Sequence, residues 1–464
     1  MDLPSVLPQV HVRDDFARNN RREQLLTREE NELLTRVEGN APMGQMMRRH
    51  WAPACLTKEL AEPGCAPRRV RLFGENLVAF RGLDGKVAIV GEHCPHRRAS
   101  LAYAQVGQSS LMCLYHGWKM DGQGRVVEIP SEPGRSPDRI RHLSYPAREA
   151  GGIVWTYMGP QDAVPEFPLP PWMDKPGNSI VVSKIHEAAN WAQSLEGTLD
   201  SVHSSVLHSS EIRSDANAQG STDQSDTRNI GMTRPSVDLS PRIQVQHTAY
   251  GFRSAAIRRP MKNAESTEYL RISIFIAPYT TLPPPQSKWR PAQAFVPMDD
   301  CNTMLFFVAW SDKVKLDQET WDRESAAKIG VDVDSEYRKL RNRSNDYLQD
   351  REAMKRGDFT GIQGIPFQDM AMQETMGPIV DRTLENLGAT DLAIVRFRQL
   401  MVHSVREFMD GRPAIGTAEP RVPLTKVRAF EALLPKGSPW REMDASPEEI
   451  ASFRTLHEFE PKPA

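Results

Sequence analysis

The chain has 464 residues, enough for two domains with cores of their own. Its 58 basic and 60 acidic side chains nearly cancel, which argues against a polyelectrolyte partner such as nucleic acid. No run approaches the roughly 18 apolar residues of a membrane span. The five cysteines are scattered and odd in number, as in a reduced cytoplasmic protein rather than a disulfide framework.

Residues 1–24 are polar and interrupted by proline, and read as an arm without the apolar stretch of a signal peptide. Thr27-Arg-Glu-Glu30 predicts a capping box, and Leu33, Leu34 and Val37 give the short helix behind it an apolar stripe. A second helical stretch covers 43–50. From Arg69 to about Met158, short strands alternate with glycine turns, among them 76–80, 87–90 and 126–129.

Within that β-rich region stand Cys94-Pro-His96 and, after sixteen intervening residues, Cys113-Leu-Tyr-His116, followed by Gly117-Trp118. Two thiolates and two imidazoles, delivered as two mixed pairs on tight loops, are the ligands of a Rieske [2Fe–2S] cluster. Structural zinc also takes two Cys and two His, but its ligands usually come paired like with like. No third or fourth cysteine lies close enough to tie the two loops together, which points to the lower-potential clusters of oxygenases rather than to respiratory carriers. A proline-rich stretch from Pro165 to Pro176 marks a domain boundary.

Beyond it the pattern predicts a strand at Val181-Val-Ser183, a helix from about Ala188, and strands over 242–249, 252–257, 269–277, 291–296 and 303–310. Helices follow over 335–354 and 391–409, and a last one starts at Ser446-Pro-Glu-Glu449 with cap, first-turn Pro and capping Glu in order. The expected fold class is α+β: a small all-β Rieske domain plus an α+β catalytic domain whose antiparallel sheet is surrounded by helices. The expected division is 1–44 (arm and helix, packed with the catalytic domain), 45–160 (Rieske domain) and 161–464 (catalytic domain).

A cluster that passes single electrons needs a second centre for chemistry. Glu196, Asp200 and His203 fall at i, i+4 and i+7, one face of a helix. His208 lies about 140° further round an ideal helix, so aiming both His at one metal requires a helix end or a π-bulge between them. Two His and one carboxylate form the facial triad of non-haem Fe(II) oxygenases. Asp369, at the start of a helix after a Gly/Pro loop, is the expected carboxylate; Asp381, beside Arg382, is the alternative.

With both motifs in hand, the chain resembles the large subunit of the Rieske non-haem iron ring-hydroxylating oxygenases, and within them the phthalate dioxygenase group. The resemblance rests on Leu26-Thr-Arg-Glu-Glu-Asn-Glu-Leu-Leu34, Cys94-Pro-His-Arg97, Tyr115-His-Gly-Trp-Lys119, Pro130-Ser-Glu-Pro133, Leu195-Glu-Gly197, Asp200-Ser-Val-His203, Phe359-Thr-Gly-Ile362 and Gln368-Asp369. One departure is Arg98, where the family usually shows Gly. The resemblance implies a [2Fe–2S] cluster on Cys94, His96, Cys113 and His116, and a mononuclear Fe(II) on His203, His208 and Asp369. It also implies an NAD(P)H-dependent flavin/iron–sulfur reductase as electron donor, and addition of dioxygen to a ring to give a cis-dihydrodiol. A ring of at least three subunits is implied as well, with Asp200 bridging His203 to His116 of the next copy; a carboxylate there can orient the imidazole.

Phthalate-type substrates carry carboxylates, which need guanidinium partners when they leave water. Arg271 sits in a strand of alternating pattern, flanked on its own face by Tyr269 and Ser273. Arg234 matches the family's second carboxylate position, and Ser201, beside Asp200, is the candidate third donor. Arg258 and Arg259 read as a surface turn before Pro260. Alternatives are a monooxygenase or O-demethylase of the same superfamily, an oxygenase for phenoxybenzoate or chlorobenzoate, or a Rieske electron carrier without mononuclear iron.

Overall fold

A computed structural model describes residues 26–218, 233–285 and 289–454. The arm expected over 1–24 lies outside the described residues. Three small antiparallel sheets make up the β-rich region. One joins Trp51–Leu56, Ile153–Tyr157 and Ala147–Ala150; the second joins Arg68–Leu72, Glu75–Arg81, Val87–Gly91 and Ser144–Tyr145. The third runs Gln105–Val106, Ser110–Met112, Lys119–Asp121 and Val126–Glu128. Between the last two sheets lies a core separate from the rest of the molecule, made of Val78, Phe80, Val90, Leu111, Trp118 and Met120 with Cys94 and Cys113.

The second half is built on one antiparallel sheet in the order Ser179–Glu187, Thr303–Ser311, Arg290–Pro297, Thr280–Leu282, Thr267–Ile276, Gly251–Arg258, Arg242–Thr248. Phe430–Pro435 adds to Thr267–Ile276 off that path. The helix Leu392–Met409 lies across the sheet, with Phe397 edge-on to Phe275 (5.1 Å) and to Trp191 (5.8 Å) of the helix Trp191–Leu199. Each such aromatic pair contributes roughly 0.5–1.5 kcal/mol beyond its buried area. Rieske-type β domain and helix-covered antiparallel sheet together give the α+β class.

The cap signals work as physics requires. Thr27 Oγ1 accepts from Glu30 N–H while Glu30 Oε2 accepts from Thr27 N–H. The helix they start, Arg28–Thr35, packs on the catalytic half: Asn31 donates to Val380 O (3.0 Å) and accepts from Arg382 (3.0 Å). Ser446 caps Pro447–Ala451, but the Glu449 carboxylate turns inward to Tyr250 and the fully buried Arg253 instead of closing a box.

Three expectations fail locally. Residues 335–354 do not form a helix; only a 3₁₀ turn, Arg343–Leu348, and a short helix, Arg351–Lys355, occur there. Asn342 closes its own turn with Ser344 and Asn345, and Tyr347 adopts φ 54° as its hydroxyl reaches the buried Glu374 (2.8 Å). A side chain anchored in the core outweighs local helix preference. Arg258 is not in a surface turn: it ends the strand Gly251–Arg258 and is 2 % exposed, whereas Arg259 is exposed. Nor does one helix carry Glu196, Asp200 and His203, because the first helix stops at Leu199 and Asp200 is extended (φ −76°, ψ 109°).

Candidate metal centres

The two Cys/His loops are built on one hydrogen-bond plan. In the first, Cys94 N–H donates to Ala99 O (2.9 Å) and Arg98 N–H to Cys94 O (3.0 Å); in the second, Cys113 N–H donates to Trp118 O (2.8 Å) and Gly117 N–H to Cys113 O (2.9 Å). Each loop thus closes on its own cysteine and brings its His back to the same side, where the His96 and His116 rings meet at 4.5 Å. Both cysteines are buried; desolvation, with Cys113 nearby, pushes the Cys94 thiol up to about 11. A thiol so disfavoured as a bare anion suits a metal, whose charge replaces the missing solvent. Trp118 stacks flat on His96 at 4.8 Å and fixes that ring.

The shared plan explains Arg98. Arg98 (φ 65°) and Gly117 (φ 72°) occupy the equivalent left-handed position of the two loops. A Cβ at Gly117 would meet Pro130 Cγ at 2.8 Å, whereas the Arg98 side chain is exposed. Left-handed backbone costs a non-glycine residue roughly 1–2 kcal/mol, partly offset by the chain entropy that glycine loses on folding. Arg98→Gly is therefore expected to raise stability by up to about 1 kcal/mol, and Gly117→Ala to lower it by about 1–3 kcal/mol. Thermal unfolding followed by cluster absorbance checks both signs.

The second centre forms where two helices meet a turn. Asp200 Oδ1 accepts from Val202 N–H (2.7 Å) and Oδ2 sits 3.3 Å from His203 N, so its carboxylate braces the turn that leads into the short helix His203–Val206. That helix ends before His208, the helix end that the spacing of the two His required. Asp369 comes from the helix Ile365–Thr375, which starts at Gly364 (φ 89°). The two long helices approach closely at Gly197, where a Cβ would stand 2.1 Å from Gln373 Nε2, and Gln193 donates across to Gln373 O (3.1 Å).

The result brings His203, His208 and Asp369 together, with one ligand atom from each lying within 4.8 Å of the others. Asp369 Oδ1 is 3.4 Å from His203 Nε2 and 3.0 Å from His208 Nε2. Asp381 is not among them; it caps the turn Arg382–Leu384 through Thr383. Glu196 is not either: Arg382 and Arg398 hold it in a buried ion-pair cluster (3.0 and 2.7 Å). Burial opposes its charge, yet those two cations bring its pKa down to about 2.

Both imidazoles are oriented from behind. His203 Nδ1 faces Asp200 Oδ2 at 3.4 Å, and His208 Nδ1 lies 2.7 Å from Gln368 Oε1. The Gln368 amide cannot be turned round, because its Nε2 donates to Ile362 O (2.7 Å) and Thr360 Oγ1 (3.2 Å). Its oxygen must therefore accept from His208 Nδ1–H, which leaves the Nε2 lone pair for a metal. Burial opposes the charged forms of Asp200 and His203, but their mutual contact prevails: Asp200 is held below the usual carboxylate range and His203 above the usual imidazole range. Two imidazole nitrogens and one carboxylate on one side fit a divalent iron with open positions. Gln368 carried no signal as a site residue beyond its place before Asp369. Gln368→Leu, which keeps the volume and loses the acceptor, is expected to weaken mononuclear iron binding about ten- to a hundredfold, read by metal titration.

Arg234 is buried, and among the described residues its guanidinium reaches only hydroxyls, Ser204 Oγ (3.1 Å) and Ser205 Oγ (3.4 Å). Burial and the neighbouring Arg271 and Arg258 push it down to about 9. Arg271 is half-buried, and Glu431 stands 3.5 Å from its Nε. Burial works against the Arg271 charge, and Glu431 with Tyr269 restores it to above the ordinary arginine value. Ser201 is placed beside Arg258, whose Nη1 donates to Ser201 Oγ (3.1 Å).

Comparison with known proteins agrees with these centres. The family described as Rieske [2Fe-2S] domain matches residues 50–146, and that described as LigXa C-terminal domain like matches 156–462. The chain is 50% identical to the phthalate 4,5-dioxygenase oxygenase subunit of Pseudomonas putida, over 91% of this chain and 95% of that one. It is 36% identical to the 3-chlorobenzoate-3,4-dioxygenase oxygenase subunit of Comamonas testosteroni, over 85% and 91%. Among solved structures, NdmB of Pseudomonas putida CBB5 shares the fold, with a TM-score of 0.56 at 19% identity over 80% of this chain and 94% of that one. Carrying a [2Fe–2S] cluster and a mononuclear iron, and drawing on a reductase, dioxygen and an aromatic substrate, the chain belongs to the Rieske non-haem iron oxygenases as an oxygenase subunit.

Proposed function

We propose that this oxygenase cis-dihydroxylates an aromatic dicarboxylate of the phthalate or isophthalate type. The observation that carries the reading is Arg234: a buried cation without a carboxylate among the described residues, held by hydroxyls of the same helix that bears His203. An uncompensated buried charge costs several kcal/mol, which an anionic substrate offsets on binding. The phthalate-acting relative at 50% identity supports the same class.

In this reading Cys94, His96, Cys113 and His116 hold the cluster, and His203, His208 and Asp369 hold the iron. When bound, the cluster supplies electrons singly and the mononuclear iron supplies the site at which dioxygen is activated. The protein's own part is orientation. Asp200 and Gln368 aim the two imidazoles, Arg234 and Ser201 receive one carboxylate, and Arg271, once its hold on Glu431 loosens, receives the other. In this reading the Rieske domain spans 45–160 and the catalytic domain 161–464, a division supported by the contacts of the helix Arg28–Thr35 with Val380 and Arg382. Exposed Leu114 and Tyr115 leave His116 open to a neighbouring copy, which supports a homotrimer, or a multiple of it, with Asp200 as the bridge between centres. An NAD(P)H-dependent flavin/iron–sulfur reductase supplies the electrons. Free cysteines throughout the described residues support a cytoplasmic location. Among the described residues no helix is long and apolar enough to cross a membrane.

The test is binding of a dicarboxylate. Charge-assisted bonds contribute roughly 1.5–3 kcal/mol each, so Arg234→Ala is expected to weaken phthalate binding about ten- to a hundredfold. Arg271→Ala is expected to do the same for phthalate, but only one of the two variants is expected to matter for benzoate. Equal binding of every carboxylate by the parent and both variants would remove the physical support for this substrate class.

A further inference from the structure

Arg258 is, with Arg234, one of two buried guanidinium groups beside the half-buried Arg271, and its contacts set it apart from the other two. It lies at the end of the strand Gly251–Arg258, opposite Tyr269, with its side chain directed at the turn that joins Asp200 to His203. Nη1 donates to Ser201 Oγ (3.1 Å) and Nη2 to Ser201 O (2.6 Å), so one guanidinium grips both oxygens of a single residue. Ser204 Oγ also donates to Ser201 O (3.0 Å), which fills that carbonyl's acceptor capacity. Ser205 Oγ lies between the two guanidinium groups, 3.4 Å from Arg234 and 3.5 Å from Arg258.

An arginine only donates, so a hydroxyl that accepts from it must point its own hydrogen elsewhere. Among the described residues the Ser201 hydroxyl hydrogen has no acceptor, while its oxygen is occupied by Arg258. The grip on the Ser201 carbonyl holds the peptide that carries this hydroxyl. Desolvation, followed by the charge of Arg271, pushes Arg258 down to about 10, with Tyr269, Asp238 and Glu431 acting the other way. Such a cation is expensive to keep in place for scaffolding alone.

We propose that Arg258 is a positioning residue for substrate recognition: through the two hydrogen bonds it donates to Ser201 it fixes that hydroxyl as an obligate donor to the substrate carboxylate. The inference rests on the proposed aromatic-carboxylate substrate and on Ser201 as one of its contacts. A hydroxyl free to rotate serves donors and acceptors alike. One pinned by a guanidinium favours an anion and penalises a ring substituent that can only donate.

The experiment is phthalate binding to the iron-loaded oxygenase without oxygen, by titration calorimetry, in four proteins: the parent, Arg258→Met, Ser201→Ala and the double variant. Arg258→Lys is added as the version that keeps the charge but cannot hold both Ser201 oxygens. Arg258→Met and Ser201→Ala are each expected to weaken binding about tenfold, and the double variant to be no weaker than about the same tenfold. Arg258→Lys is expected to recover part of the loss. The cluster spectrum and mononuclear iron content should match the parent in all of them. Losses that multiply in the double variant, or parent-like binding by Arg258→Met, would overturn the inference while leaving the substrate class standing. Loss of mononuclear iron from Arg258→Lys would also overturn it, by making the residue a support of the metal turn. A parent that binds neither phthalate, isophthalate nor 3-chlorobenzoate would instead overturn the substrate reading, and this inference with it.

Discussion

Asp369→Ala is expected to remove the mononuclear iron, to lower turnover by more than about a hundredfold, and to leave the Rieske absorption unchanged. The expectation follows from the donor set. Asp369 supplies the only carboxylate in the group with His203 and His208, and its Oδ1 is the atom within 3.0–3.4 Å of both Nε2 positions. Without it, two imidazoles remain to hold a divalent ion that favours three protein ligands on one side. The helix should survive, because Asp369 stands in its second turn while the start is set by Gly364, Ile365 and Pro366. The cluster should survive as well, since it belongs to a separate core. Metal analysis beside the visible spectrum reads both outcomes. Asp381→Ala is the control: it removes a capping contact to Thr383 and is expected to keep the iron. An emptied site in Asp381→Ala with full iron in Asp369→Ala would reverse the assignment.

The second large effect is expected at Asp200. Asparagine keeps the size and one of the two oxygens, so Asp200→Asn preserves the shorter bond, from Val202 N–H (2.7 Å), gives up the longer one from His203 N–H (3.3 Å), and should cost little stability. What it loses is the charge facing His203 Nδ1. An amide there presents either a weaker acceptor or a donor against a donor, and the imidazole loses its fixed orientation. The proposed role as bridge to His116 of a neighbouring copy adds the electron path to the loss. Reduction of the cluster by its reductase is expected to remain near that of the parent. Reoxidation of the reduced cluster in the presence of substrate and oxygen is expected to slow about a hundredfold, as a single-turnover absorbance trace would show. Parent-like reoxidation would mean that electrons take another route.

What could be read in advance divides along physical lines. The Cys94, His96, Cys113 and His116 motif was legible because cluster ligands must sit on short loops at fixed spacing, and such spacing survives in one dimension. The sheet strands were legible from alternation, apart from Thr280–Leu282, too short to alternate, and Phe430–Pro435, whose pattern breaks at Glu431. Asp369 could be ranked over Asp381 by its Gly/Pro loop, but only the packing at Gly197 brings it to the His pair. The Glu196 reading failed because periodicity assumes an unbroken helix, and Asp200 breaks it by bonding to the backbone ahead. Gln368 and Arg258 were invisible as site residues, since each acts through one partner, His208 or Ser201, more than fifty residues away in sequence. The left-handed position shared by Arg98 and Gly117 needed the hydrogen bonds of both loops to be seen together.

The most direct test of the proposed activity is the fate of dioxygen during phthalate turnover with a surrogate reductase. With isotopically labelled oxygen gas, the expected product is a cis-dihydrodiol that carries label in both new hydroxyl groups. A product with one labelled oxygen, or loss of a one-carbon fragment from a methoxylated ring with no reaction of phthalate, would contradict it and place the chain with the monooxygenases and O-demethylases.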